Sequence, residues 1–284
     1  MKIFHACKRL PGYRASCLFI AAALLSYPAI GASEQTFSFG VVPQQSATKL
    51  ARTWLPLLQL LQEKSGVRLR FATAPDIPTF EQRLRDGEYD VAYMNPYHYT
   101  VFHQAQGYQA FAREANKRIR GIIVVRNDSP IASVTELEGK EVAFPAPAAF
   151  AATLLTRSHL EQQGVSYEPR FVSSHDSVYR AVAGGFASAG GGIVRTFESV
   201  APEIRSQLRV LWKSEGFTPH AFAAHPRVPG DVIERLLQSM LELTGYPEGM
   251  EALAGVNVQA LQKAANGDWD DVRGLDIGFL QPAK

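Results

Sequence analysis

Short apolar strand patterns alternate with helical patterns along the chain, and this alternation constrains the fold more than any other feature of the sequence. The first strand pattern runs from Phe37 to Val42, and apolar residues at helical spacing follow from Ser46 to Leu61, closed by Gly66. A second series begins with the strand pattern from Glu141 to Phe144. Strands that alternate with helices form layered α/β structures with largely parallel sheets.

Further elements follow from the same periodicities. Pro56 should start a second helical segment, because a proline inside a helix costs about 3 kcal/mol. The run Gly190–Gly192 lacks the lysine of a phosphate-binding loop and indicates either a turn or tight packing. The remaining predictions are strands at 67–73, 89–94, 119–126, 170–172, 209–212 and 219–224, and helices at 78–85, 148–163, 175–183 and, after 224, over most of the chain to 253.

The first 32 residues have the order of a secretion signal. A basic stretch from Lys2 to Arg14 precedes an apolar run from Cys17 to Tyr27, and small residues follow at 29, 31 and 32. This order predicts cleavage near residue 31 or 32 and a periplasmic protein. An uncleaved N-terminal anchor is the alternative, although the apolar run is shorter than the roughly 20 residues of a membrane helix.

Composition then narrows the function of the remaining chain. Both cysteines lie in the signal segment, so disulfides, thiolate nucleophiles and thiolate metal sites are excluded from the mature protein. Four of the 29 basic residues also lie there, which leaves 25 basic against 27 acidic groups. A chain so close to neutrality has no electrostatic reason to bind nucleic acid or anionic lipid.

No catalytic or cofactor signature is present in the sequence. It contains no H-E-x-x-H, G-x-S-x-G or G-x-x-x-x-G-K-[ST] motif, and His98 and His103, five residues apart, do not share one helical face. We therefore expect a binding protein without cofactor or metal rather than an enzyme. A secreted hydrolase or metal binder that uses His98, His175 or His220 is the alternative.

Seven segments, in order, carry a resemblance to a known family. The chain is similar to the phosphate/phosphite/phosphonate-binding proteins of ABC importers over nearly all of its mature length. The segments are VVPQQS at 41–46, W-x-P-L-L at 54–58, YDVAYMNPYHY at 89–99, GIIVVRNDSPI at 121–131, ELEGKEVAFPAP at 136–147, SSHDSVYRAVAGG at 173–185 and PEGMEALAG at 247–255.

The resemblance implies an α/β fold of the type II periplasmic binding proteins. Two lobes with mixed, mostly parallel sheets would be joined by a two-strand hinge, with crossings near Val124 and Ala221, and would close on the ligand. Residues 33–124 and 221–284 would form lobe 1, and residues 125–220 lobe 2.

The resemblance also implies where the ligand would lie. Helix starts after Pro147 and Ser174 offer main-chain N–H groups and the positive end of a helix dipole to an anion. The family carries a Ser-Thr-Ser cluster at the first of these turns, whereas residues 148–151 here read Ala-Ala-Phe-Ala, and Thr153 is the nearest hydroxyl. We therefore expect weak binding of phosphorus oxyanions and a ligand whose apolar part lies against Phe150 and Tyr97.

Other candidate residues point to an anion as well. Arg195 and His220 stand where family members that bind aminated phosphonates tend to carry acids, so they would add donors for an anion. Alternatively, Arg195 pairs with Glu198 at the surface, His175 only starts a helix, and the aromatic residues at 93–99 only pack between the lobes. The full candidate set is Tyr93, Asn95, Tyr97, His98, Ala149, Phe150, Ala151, Thr153, His175, Asp176, Arg195 and His220.

The function implied is that of a periplasmic solute-binding protein. It would deliver a small anion to the permease of an ABC importer, and we expect it to be a monomer. A periplasmic sensor that presents the same closed form to a membrane receptor kinase is the alternative, because only the docking surface would differ.

Overall fold

A computed structural model describes residues 35–275 of the chain, and the predicted signal segment lies outside them. The strands are β1 (Thr36–Val41), β2 (Arg68–Ala72), β3 (Val91–Met94), β4 (Gln109–Glu114), β5 (Gly121–Arg126), β6 (Glu141–Phe144), β7 (Glu168–Phe171), β8 (Ala189–Ile193), β9 (Leu208–Lys213), β10 (Ala221–Ala224) and β11 (Leu261–Lys263).

Helices connect most of these strands. None of those within residues 35–275 is long and apolar enough to cross a membrane. They are α1 (Ala47–Ser65), α2 (Ile77–Arg85), α3 (Pro96–Gln106), α4 (Leu155–Gln162), α5 (His175–Ala183), α6 (Val194–Glu198), α7 (Pro202–Arg205), α8 (Gly230–Glu242), α9 (Pro247–Gly255) and α10 (Asp270–Arg273).

The strands form two mixed sheets. The first has the order β11-β4-β10-β3-β1-β2, and the second has the order β7-β6-β8-β5-β9. The chain passes from the first sheet to the second within residues 115–120 and returns within 214–220, and Ile119 and Phe217 pair there through two main-chain hydrogen bonds of 2.8 and 2.9 Å. The α/β class predicted from the sequence is therefore confirmed.

The structure differs from the predicted topology in two details. Val124 lies in the middle of β5, which belongs wholly to the second sheet, so the first crossing comes several residues earlier than expected. Parallel pairing is confined to β2-β1-β3 and β7-β6-β8, and of the nine strand pairs in the described chain five are antiparallel. Each of the five antiparallel pairs includes a strand next to a crossing, namely β4, β5, β9 or β10.

Helix α1 is continuous through Pro56, so the predicted break at this residue is wrong. The Ser46 hydroxyl accepts from the Lys49 N–H at 3.3 Å, and Gly66 ends the helix at φ 67°, in the left-handed region that favours glycine. A buried apolar stripe contributes roughly 2 kcal/mol per side chain, which offsets the cost of the proline. The stripe is Leu50, Trp54, Leu57, Leu58 and Leu61.

The glycine run forms the middle of β8, which lies between β6 and β5 and is fully buried. A Cβ on Gly190 would collide with Val178, one on Gly191 with the Ala152 carbonyl, and one on Gly192 with the Tyr179 hydroxyl. The tight-packing interpretation of the glycine run is therefore confirmed, and the alternative prediction of a turn is wrong.

Three helical segments show how well local patterns predicted structure. The predicted helix 175–183 coincides with α5. The helix predicted over 148–163 begins instead as a π-helical turn, Phe150–Leu154, and continues as α4. Helix α3 was not predicted from the sequence. Its segment, PYHYTVFHQAQ, is rich in aromatic and histidine side chains, which have low helix propensity.

We expect Gly191→Ala to destabilise the fold. The new methyl group would meet a main-chain carbonyl and the Phe144 ring, at 2.7 Å, and neither can move away easily. The free energy of unfolding should fall by about 3 kcal/mol or more, at the upper end of what overpacking costs. Gly230→Ala, where nothing lies within 4 Å of the new atom, is the matched control and should change it by less than about 0.5 kcal/mol. Urea denaturation measures both, and equal stabilities would contradict the packing argument.

Candidate functional site

Polar contacts join the two sheets where the carboxyl ends of β1 and β3 face α5 and α6. The main-chain N–H of His175 donates to the Gln44 carbonyl at 3.1 Å, and the Asn95 amide donates to the Ala148 carbonyl at 3.2 Å. The Lys49 ammonium donates to the Ser199 carbonyl at 3.1 Å. Each bond connects an element of one sheet with an element of the other, so the structure is a closed arrangement.

Arg195, in α6, makes the central side-chain contacts across this gap. It donates to the Tyr93 hydroxyl at 2.5 Å and to the side-chain Oε1 of Gln44 at 3.3 Å, and its Nη2 lies 3.4 Å from Nδ1 of His220. All three partners are uncharged acceptors. Within residues 35–275 the guanidinium forms no ion pair with Glu198, so that alternative is wrong. A guanidinium held only by neutral groups is suited to bind an anion.

His220 sits beside Arg195 in a buried position. It is 2% exposed, and its ring stacks on Tyr93 with centroids 4.9 Å apart. Burial, with the nearby Arg195 charge, holds the pKa of His220 well below its usual range, so the ring is neutral and has one donor and one acceptor nitrogen. Nε2 lies 3.0 Å from the Gln44 amide nitrogen and Nδ1 lies near Arg195, so both ring nitrogens face donors. The three side chains therefore present more donors than they can pair with one another.

His175 is the first residue of α5 and is also buried, at 2% exposure. Its Nδ1 lies 3.3 Å from the Thr196 hydroxyl. Burial and the Arg195 charge lower the pKa of His175 to about 3, which makes this ring neutral as well. Because its main-chain N–H is taken by Gln44, this part of the helix start is not open to a ligand, contrary to expectation.

A small central pocket gathers half of the predicted residues. Its cavity is about 10 Å³, enough for roughly one water molecule. The ring of Phe150 fills part of this space and meets Phe217 edge-on, with centroids 5.7 Å apart. The central pocket therefore has no room for a phosphonate in this closed arrangement. The predicted residues that line it are Asn95, Ala149, Phe150, Ala151, His175 and His220.

Four other predicted residues do not line this pocket. His98 is buried against α2, where its Nε2 lies 2.9 Å from the Glu81 carboxylate. The Thr153 hydroxyl donates to the Ala146 carbonyl at 2.7 Å, so its oxygen already serves the π-helical turn.

The other two lie at the edges of the site. Asp176 lies 3.5 Å from the Lys49 ammonium, which makes it a link between α1 and α5. Tyr97 is half-buried, and burial raises the pKa of its hydroxyl. No group of three or more metal-binding side chains lies close enough within residues 35–275 to hold an ion.

Gln44 is the main residue that sequence reasoning missed. It contacts His220 and Arg195 through its amide and His175 through its carbonyl oxygen. The available signal was its place in VVPQQS, directly after β1, where strand-to-helix turns of α/β folds approach ligands. Thr196 was also missed, because nothing in its local sequence indicates that it bonds a buried histidine.

Comparisons with known proteins agree with this geometry. Residues 39–269 match the family described as ABC transporter, phosphonate, periplasmic substrate-binding protein. The chain is 23% identical over 236 residues to the phosphate-import protein PhnD of Mycolicibacterium smegmatis, covering 71% of this chain and 70% of that protein. It is 24% identical over 238 residues to the phosphonates-binding periplasmic protein of Escherichia coli, covering 76% of this chain and 65% of that protein.

A solved structure supplies the comparison of folds. PhnD1 of Prochlorococcus marinus, in complex with methylphosphonate, has a TM-score of 0.78 at 16% identity, with 86% of this chain and 97% of that chain covered. The likeness confirms the two-lobed periplasmic binding protein fold.

The two buried histidines should make stability depend on pH. In the unfolded chain they bind protons below about pH 6.5, whereas the folded chain keeps His175 neutral down to about pH 3. The free energy of unfolding should therefore fall as the pH drops from 6.5 towards 3, by up to about 1.4 kcal/mol per pH unit for each histidine. Denaturation of wild type, His175→Gln and His220→Gln between pH 6.5 and 4.5 measures this, and each variant should have a shallower slope. Identical slopes would contradict the assignment.

Proposed function

Because this chain belongs to the family of periplasmic substrate-binding proteins of phosphonate ABC transporters, we propose that it binds an organic anion at Arg195 and releases it to an importer permease. It is a solute-binding protein, and its family works in the periplasm. The family is one of binding proteins, and we propose that this chain has no catalytic activity of its own. We also propose that residues 1–32 are the signal for export.

Arg195 is the single observation that carries the ligand class. Its guanidinium lies between the sheets with only neutral partners, beside an amide and a histidine that offer further donors. Hydrogen bonds from a charged donor to an anion are shorter and roughly twice as strong as those to neutral groups. An anion that replaces these neutral partners therefore stabilises the closed form.

The turn after β6 argues for an organic anion rather than inorganic phosphate. Residues 148–151 offer no hydroxyl, and the hydroxyl of Thr153 is already bonded to a carbonyl. Phe150 presents an apolar ring instead. The relatives are named for phosphate and phosphonates, and we propose that here an apolar part of the ligand lies against Phe150.

Hinge closure is the proposed mode of capture. Segments 115–120 and 214–220 connect the sheets, and polar bonds across the gap hold the closed form. We propose that residues before 115 and after 220 move as lobe 1, and residues 121–213 as lobe 2. The monomeric state and the alternative role as a sensor for a receptor kinase remain predictions.

Arg195→Gln should weaken binding of phenylphosphonate by about 30-fold or more, because truncating one member of a buried charge pair commonly costs 2–5 kcal/mol. Arg180→Gln, an exposed arginine of α5, is the matched control and should leave the affinity unchanged. Calorimetry measures both. Wild-type protein that binds inorganic phosphate with a sub-micromolar Kd would refute the ligand proposal, and unchanged affinity in Arg195→Gln would remove this residue from the site.

Ligand should make the protein more compact. We expect saturating phenylphosphonate to reduce the radius of gyration without changing the circular dichroism spectrum, as in hinge closure. Lys49→Met removes contacts with Asp176 and Ser199 across the gap and should enlarge the unliganded particle. Small-angle scattering measures both effects. Identical curves with and without ligand would contradict the hinge.

A further inference from the structure

A second, larger cavity adjoins Arg195 on the side of the crossing segments. It measures about 560 Å³, within the range of ligand sites and far larger than the central pocket. The end of β4, the first crossing segment, the start of α6 and the residues before β10 form its walls. Arg195 and His220 line both this cavity and the gap between the sheets, so a ligand held by them can extend into it.

Glu114, the last residue of β4, lines this cavity in an unusual state. It is 5% exposed, and its Oε1 has no hydrogen-bond partner within residues 35–275. The Lys117 ammonium is 3.6 Å from that oxygen, beyond hydrogen-bond distance. The oxygen therefore has an ion-pair partner in Lys117 but accepts no hydrogen bond from the described residues. Buried carboxylate oxygens normally accept one, so this oxygen beside a cavity indicates a missing donor.

Two arginines of the same cavity have unused capacity for an anion. Arg195 bonds only the neutral acceptors described above, and Arg120 donates to the Ser214 carbonyl at 2.9 Å. Neither forms an ion pair with a carboxylate of the described chain. By contrast, Arg118 at the rim is already paired with Asp271 at 2.7 Å. The cavity therefore combines cations without anions and one carboxyl oxygen without a donor.

We propose that this cavity binds a hydroxylated end of the ligand's organic part, and that Glu114 accepts a hydrogen bond from that hydroxyl while Arg195 holds the anionic group. The inference rests on the proposed function and adds a specificity-determining residue to it. The ligand class is a hydroxylated organic anion larger than methylphosphonate.

Charge favours a hydroxyl over an ammonium group as the donor. Four cationic side chains line the cavity against two carboxylates, so a further positive charge would be repelled. Burial raises the pKa of Glu114, opposed by Arg195 and Lys117, which weakens its attraction for a cation. A neutral hydroxyl avoids this repulsion and still satisfies Oε1.

Two series of probes test the inference. Propylphosphonate, 3-hydroxypropylphosphonate and 3-aminopropylphosphonate differ only in the terminal group, as do butyrate, 4-hydroxybutyrate and 4-aminobutyrate. Calorimetry on wild type should give the hydroxylated member roughly tenfold tighter binding than the methyl-terminated one, the effect of one hydrogen bond to a charged group. The aminated member should bind less tightly than the hydroxylated one.

Variants of Glu114 assign the preference to its carboxyl. Glu114→Met should abolish the preference for the hydroxyl, and Glu114→Gln, which keeps an acceptor, should restore part of it. Glu198→Gln removes an exposed carboxylate at the rim and should leave the ratio unchanged. Thermal melts check that each variant folds.

The outcomes separate the two proposals. Equal binding of methyl- and hydroxyl-terminated probes by wild type would overturn the inference and leave the proposed function standing. Tightest binding of the aminated probes would overturn the assignment of a hydroxyl donor. Failure of every anion in both series to bind would overturn both proposals.

Discussion

The positive charge of Arg195, held between two sheets by uncharged groups, is the constraint on which the site depends. Removing a charge from water is costly unless hydrogen bonds or an opposite charge compensate it. Here a phenol, an amide and an imidazole provide partial compensation. Tyr93 and Gln44 lie on the side of the first sheet, and His220 lies in the returning crossing segment. The closed form is thus stable enough to exist but leaves the charge unneutralised. Under the proposed function, an anion bound at Arg195 would neutralise this charge, and ligand binding would thereby favour closure.

Burial and the same Arg195 charge also lower the pKa values of His175 and His220. If His220 were protonated, it would repel Arg195 and compete with it for the anion. Burial keeps both rings neutral, so each contributes a dipole and a lone pair rather than a second charge. Among these side chains, Arg195 alone therefore carries a charge, and the two histidines are neutral hydrogen-bonding groups.

Local signals in the sequence predicted much of this fold. Ser46 and Gly66 mark the ends of α1 because capping chemistry acts within a few residues, and α5 follows from its N-terminal serine and apolar spacing. Arg195 and His220 were identified through a resemblance to a family. Gln44 and the continuity of α1 through Pro56 were not predictable in this way, because both depend on contacts with residues far along the chain. The small volume of the central pocket likewise depends on how the Phe150 ring packs against the opposite lobe.

The three glycines of β8 have a consequence for how this protein can change its ligand. Without side chains, the strand brings its main chain against the π-helical turn and the Tyr179 hydroxyl, and α6, with Arg195, begins directly after it. A side chain at any of these three positions would collide with the neighbouring elements and displace the wall of the site. Substitutions that change the ligand should therefore be tolerated at residues 148–153 and in the crossing segments rather than at the three glycines. The strand thus limits which parts of the site can be redesigned.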